Sequence, residues 1–125
     1  MKQLTKAEEQ VMQVLWQLKR AFVRDIIEKL PPPTPAYNTV STIVRILERK
    51  GFVAYKAFGK SHEYYPLVDK KAYRTGYFKD VLKNYFGNSY QSLASFFTKE
   101  QNLSLEELEE MKSLIESEIQ RKSKN

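Results

Sequence analysis

No cysteine occurs in the sequence, and His62 is its only histidine. Disulfides and thiolate metal sites are therefore excluded. A structural zinc site needs about four nitrogen or sulfur ligands, which the chain cannot supply, so neither a metal nor a cofactor is expected. A cysteine- or histidine-based catalytic triad fails for the same reason. The four glycines are scattered, so there is no glycine-rich phosphate loop. No apolar run approaches the ~18 residues read as a membrane span, and no membrane insertion is expected. The segment MKQLTKAEEQ carries no apolar signal region, which points to the cytoplasm. Glu106, Glu107, Glu109 and Glu110 lack a metal or basic partner and read as a solvated helix face. The chain is not expected to be an enzyme.

What is present is a moderate apolar content, 42%, with 29% charged residues and a net charge of +6 over 125 residues. The charge is unevenly placed. Residues 1–68 hold 11 Lys/Arg and 6 Asp/Glu, a net of +5, whereas residues 69–125 hold 10 and 9, a net of +1. Within the latter, residues 100–118 carry seven Glu and one Lys, a net of −6. A basic module ahead of an acidic helix is the electrostatic footprint of a polyanion binder, although a basic excess also serves solubility.

The patterning gives an order of elements. Thr5 and Glu8 form a capping box, and Val11, Val14, Leu15 and Leu18 follow as an apolar stripe, with Trp16 beside it. A turn at Lys19–Ala21 leads to a helix of roughly residues 22–30 with Ile26, Ile27 and Leu30 inward. Four prolines in five positions break the chain at PPPTPA. Thr34, with Pro35 at the first helical position, or Asn38 would cap the third helix. That helix buries Val40, Ile43, Val44 and Leu47 and stops at Gly51. FVAY (52–55) and HEYYPL (62–67) are strand-like, with Gly59 placed for a turn. One of Tyr64 and Tyr65 packs inward. Helix, helix, helix, hairpin is the connectivity of a winged helix-turn-helix. Three more helices are predicted over about 70–86, 89–100 and from Ser104, with a stripe of Leu105, Leu108, Met111, Ile115 and Ile119. They have little independent core and would bury their apolar faces best against a second copy.

The fold class expected is therefore mainly α with a small β-hairpin: a winged-helix DNA-binding domain at 1–68 and a helical dimerisation domain at 69–125. In the third helix, Asn38, Thr42, Arg45 and Arg49 share the side opposite the core stripe, flanked by Thr39 and Ser41. Arg pairs with guanine O6 and N7, Asn with adenine, and Thr with a thymine methyl or a phosphate. Any globular protein has polar helix faces. The position of this one, on the third helix before a basic hairpin, marks it as a recognition surface. Lys56, Lys60 and His62 decorate the wing, where lysines would meet the phosphate backbone.

The stretches LTKAEEQVMQVLW (4–16), AYNTVSTIVRILERKGFV (36–53), GKSHEYYPL (59–67), FGNSYQSLASFF (86–97) and LSLEELEEMKSLI (103–115) resemble the BlaI/MecI family of penicillinase repressors, which includes copper-responsive relatives. The resemblance implies a homodimer that binds an inverted-repeat operator in double-stranded DNA and represses transcription. It also implies inactivation, in many members, by cleavage in the C-terminal arm triggered by a membrane-bound sensor metalloprotease. The copper mode uses a cysteine-rich C-terminus and does not carry over. The cleaved bond of the lactam-responsive members is Asn-Phe, and an ungapped alignment puts Phe96-Phe97 there, matching only its second residue. Phe22 and Lys60 stand where the family usually has threonine and arginine. Two other readings stay open: a winged-helix regulator controlled by a small ligand, and a winged-helix adaptor for protein partners.

Overall fold

The computed structural model describes residues 3–124. The order of elements is α1 (Lys6–Leu18), α2 (Val23–Lys29), α3 (Tyr37–Arg49), β1 (Val53–Phe58), β2 (Ser61–Pro66), α4 (Lys70–Phe86), α5 (Tyr90–Lys99) and α6 (Leu105–Ser123). The first five make a winged helix-turn-helix, as the sequence pattern predicts.

Local chemistry sets most of the boundaries. At α1 the Thr5 hydroxyl accepts from the Glu8 N–H at 3.2 Å, and the Glu8 carboxylate accepts from the Thr5 N–H at 3.0 Å. Two otherwise unpaired donors are thereby satisfied. The C-terminus of α3 is closed by Gly51 at φ +84. The Gly51 N–H donates to Glu48 O at 3.0 Å and the Phe52 N–H to Leu47 O at 2.9 Å. This paired closure needs a left-handed residue at Gly51, and it delivers Phe52 into the core and the chain into β1.

The start of α3 differs from expectation. Its N-cap is Ala36, with no side-chain cap. Thr34 lies before the cap and Pro35 precedes the first helical residue, so neither takes the predicted position. Asn38 falls within the first turn, where its carbonyl accepts from the Thr42 hydroxyl at 2.9 Å. Asn38 keeps an exposed side chain.

The core is formed by Val11, Met12 and Leu15 of α1, Ile26 of α2, Val40, Val44 and Leu47 of α3, and Phe52, Val53 and Tyr64 of the hairpin. Complete burial of such a side chain contributes roughly 1.5–3 kcal/mol. The strands pair antiparallel from Val53↔Pro66 to Phe58↔Ser61, leaving Gly59 and Lys60 as the turn. Gly59 has φ +61, as a tight hairpin turn led by glycine requires. Ala21 also pairs with Tyr64, through bonds of 2.9 and 2.8 Å. This short bridge fastens the hairpin to the α1–α2 connection, which sequence reads only as a turn.

The chain divides into two compact units, the first ending at Phe78 and the second starting at Lys79. The first unit extends past the 68/69 boundary read from the sequence, because the start of α4 packs into it. Tyr73 is buried, its ring 5.8 Å from both Trp16 and Phe52, and the Trp16 indole donates to Val68 O at 2.9 Å. Burial pushes the Tyr73 phenol above its ordinary range. In the second unit, Ser89 caps α5, and Ser104 with Glu107 forms the predicted capping box on α6. Neither α5 nor α6 has a buried residue.

Candidate nucleic-acid interface

The apolar stripe of α3 fixes which way its polar residues face. With Val40, Val44 and Leu47 fully buried, the helical period turns Asn38, Thr42, Arg45 and Arg49 outward, and all four are exposed. Thr39 is exposed as well, and Ser41 is half-buried. The Arg45 guanidinium donates to Ser41 Oγ at 3.0 Å. A hydrogen bond between residues one turn apart orients a long cation along the helix while leaving its other donors free.

Arg45 and Ser41 form one wall of an open groove of about 840 Å³. Lys60, Ser61 and His62 of the hairpin line the other side, and Arg24 of α2 and Tyr37 of α3 also border it. The structure thus brings Ser41, Arg45, Lys60 and His62 together. Asn38, Thr39, Thr42 and Arg49 continue the exposed surface of α3 outside the groove. Lys56 is separated from the other wing residues. It pairs across the ladder with Glu63, whereas His62 pairs with Ala57, so strand alternation puts Lys56 and His62 on opposite sheet faces. Its ammonium lies 5.3 Å from the Phe58 ring centroid. His62 is half-buried and stacks on Tyr55 at 4.0 Å and 7°, so it acts as a packed edge of the groove more than as a free side chain.

Arg24 and Tyr37 escaped the sequence reading. Both sit at the starts of helices, outside the face marked out by spacing on α3. A basic residue in the first turn of a helix-turn-helix's second helix is a weak signal on its own.

A part-buried ion pair lies at the α3 end of this surface. Lys50 Nζ lies 2.6 Å from Glu8 Oε1, joining the end of α3 to the start of α1. Burial pushes the Glu8 carboxyl up, but the hydrogen bond from Lys50 and those with Thr5 outweigh it and hold the group below its ordinary value. Beneath the groove, burial and then the charge of Glu48 push the Tyr64 phenol up, so it stays neutral. Among the described residues no group of three or more His, Cys, Asp or Glu is placed to hold a metal ion, and no helix is long and apolar enough to cross a membrane.

The penicillinase repressor family pattern matches residues 4–117. The chain belongs to the penicillinase repressor family. It is accordingly a repressor-type transcription regulator and not an enzyme. It is 27% identical over 114 residues to the methicillin resistance regulatory protein MecI of Mammaliicoccus sciuri, covering 90% of this chain and 93% of that protein. It is 26% identical over 121 residues to the penicillinase repressor of Bacillus licheniformis, covering 96% and 94%. The solved structure of a CopR repressor aligns with 54% of this chain and all of its own, at 29% identity and a TM-score of 0.45.

Proposed function

We propose that the protein is a homodimeric repressor that binds an inverted-repeat operator in double-stranded DNA, in the cytoplasm. The observation that carries this reading is the meeting of Arg45, Lys60 and Arg24 along one groove between α3 and the wing. In this reading α3 enters the major groove. Arg45, Asn38 and Thr42 face base edges there, and Thr39, Ser41 and Arg49 support them. Lys60 and Arg24 meet phosphates, with Lys56 further out on the wing.

The dimer reading is supported by α6, where Leu105, Ile115 and Ile119 share one face and are each more than half exposed. A second copy would cover that stripe. Tethering two winged helices raises the effective concentration at the second half-site and multiplies affinity by ~10²–10⁴. Cleavage of the arm would remove that factor and release the operator. Phe96-Phe97 is the bond this scheme assigns to a membrane-bound sensor metalloprotease. It lies within α5, and Phe96 packs edge-on against Phe86 at 5.4 Å. The helix must therefore open locally before the bond can enter a protease cleft.

Selection of bound duplexes from a random pool, followed by a salt titration of the winner, tests the reading. The expected product is a palindrome with half-sites about one helical turn, or a multiple of it, apart. If ~6–10 phosphates are contacted, affinity drops ~10³-fold or more between ~50 and ~200 mM salt. A pool that enriches no sequence, or a flat salt response, would overturn it.

A further inference from the structure

The wing is fastened to the helical body at two levels. At its base, Val53 and Tyr64 are buried and Tyr64 pairs with Ala21 through two backbone bonds. Further out, residues 55–61 are exposed, and a two-stranded ribbon of that kind is marginally stable by itself. Phe58, the last residue of β1, reaches back to the body there. Its ring meets that of Phe22 edge-on, with centroids 5.9 Å apart and planes at 65°.

Phe22 occupies a position that ordinarily does other work. It is the N-cap residue of α2, with extended backbone. Asp25 accepts from the Phe22 N–H at 3.0 Å, which is one half of a capping box. The other half needs a side-chain acceptor at the cap, and phenylalanine has none. The side chain is committed instead to the hairpin. Both rings line the groove that holds Arg24, Arg45 and Lys60, and Lys60 is separated from Phe58 only by Gly59.

We infer that Phe22 and Phe58 form an aromatic clasp that fixes the distal wing against α2 and so sets where Lys60 meets the DNA backbone. Phe22 is thereby a positioning residue: it acts on DNA through Lys60. The inference rests on the DNA-binding reading above. An edge-to-face aromatic pair changes an equilibrium constant ~2- to 12-fold beyond its area burial, which sets the size of the effect.

The test uses the full chain and a random-sequence duplex at low salt (~50 mM), because a wing–phosphate contact is independent of sequence. Phe22→Ala is expected to weaken binding ~2- to 12-fold, Phe22→Tyr to recover most of the loss, and Phe22→Leu, which keeps apolar area without a ring, to recover less. In the Phe22→Ala background Lys60→Ala should cost much less than in the parent, a coupling that a general loss of stability would not produce. Trypsin should also cut after Lys60 faster in Phe22→Ala while the thermal midpoint of the core moves little. Additive losses from Phe22→Ala and Lys60→Ala, or an unchanged cutting rate at Lys60, would overturn the clasp. If Phe22→Ala unfolds the chain, Phe58→Ala carries the same expectations. A parent chain that fails to bind the duplex at all would refute the DNA-binding reading itself, a result distinct from additivity.

Discussion

The two compact units treat their apolar residues in opposite ways. The first buries residues from every one of its helices and both strands in one cluster that includes Leu15, Leu47 and Phe52. In the second, Leu82 is the buried hydrophobic residue among those described, while Leu114 stands 68% and Ile119 58% exposed. The same side-chain types therefore contribute differently. In the first unit their transfer from water stabilises the single chain. In the second that free energy is not gained within the chain, and the proposed association would supply it. In the proposed function, folding and DNA contact belong to the first unit, and assembly to the second.

The largest effect that sharpens this contrast comes from matched truncations. Leu47→Ala should lower stability by ~2–5 kcal/mol at any protein concentration, read from denaturant melts. Ile119→Ala should stay within ~0.5 kcal/mol on the dilute chain and instead shift self-association to higher concentration. Equal losses from the two at high dilution would erase the distinction between the units.

Next in size is the Glu8–Lys50 pair, which belongs wholly to the first unit. The folded pKa of Glu8 is depressed, so its stabilisation is present above the unfolded value and is lost as pH falls below about 4.5. Glu8→Gln should cost ~1.5–3 kcal/mol at neutral pH and flatten the decline of stability in acid. An acid limb of unchanged steepness in Glu8→Gln would remove the pair from the account.

Arg45→Ala should cost ~1–3 kcal/mol in operator binding and relax base preference. Lys60→Ala should weaken all sequences about equally and reduce the salt slope. Equal losses for Arg45→Ala on operator and random DNA would take Arg45 out of base reading. The smallest change is expected on α6. Lys112 and Glu116 are exposed and 3.8 Å apart, so Lys112→Ala should alter stability by no more than ~0.5 kcal/mol, as a melt will show.

How much of this was legible in the sequence follows from the range of each interaction. The caps at Thr5–Glu8 and Ser104–Glu107 are local, and both were readable from spacing. So were the stripe of α3, its stop at Gly51 and the turn at Gly59. The features missed are non-local or depend on a helix's first residue. The bridge of Ala21 to Tyr64 joins segments far apart in sequence, and nothing near Ala21 announces it. Tyr73 looked like part of the arm because helical periodicity does not say which neighbour a face will meet. The Thr34 and Asn38 caps failed because α3 starts at Tyr37, between them. On the site, the exposed face of α3 was readable because burial of the opposite stripe dictates it. That Lys56 and His62 lie on opposite faces of the hairpin follows from the strand register, which spacing alone does not give, and Arg24 and Tyr37 enter the groove only once α2, α3 and the wing are packed together.

The central claim is that the first unit folds and contacts DNA by itself while the second supplies assembly. The most direct measurement compares the full chain with one ending at Phe78, by mass in solution and by affinity for the selected operator. The shorter chain should melt cooperatively, remain monomeric and bind the operator ~10²–10⁴-fold more weakly than the full-length dimer. A shorter chain that dimerises and binds like the full one would contradict the claim.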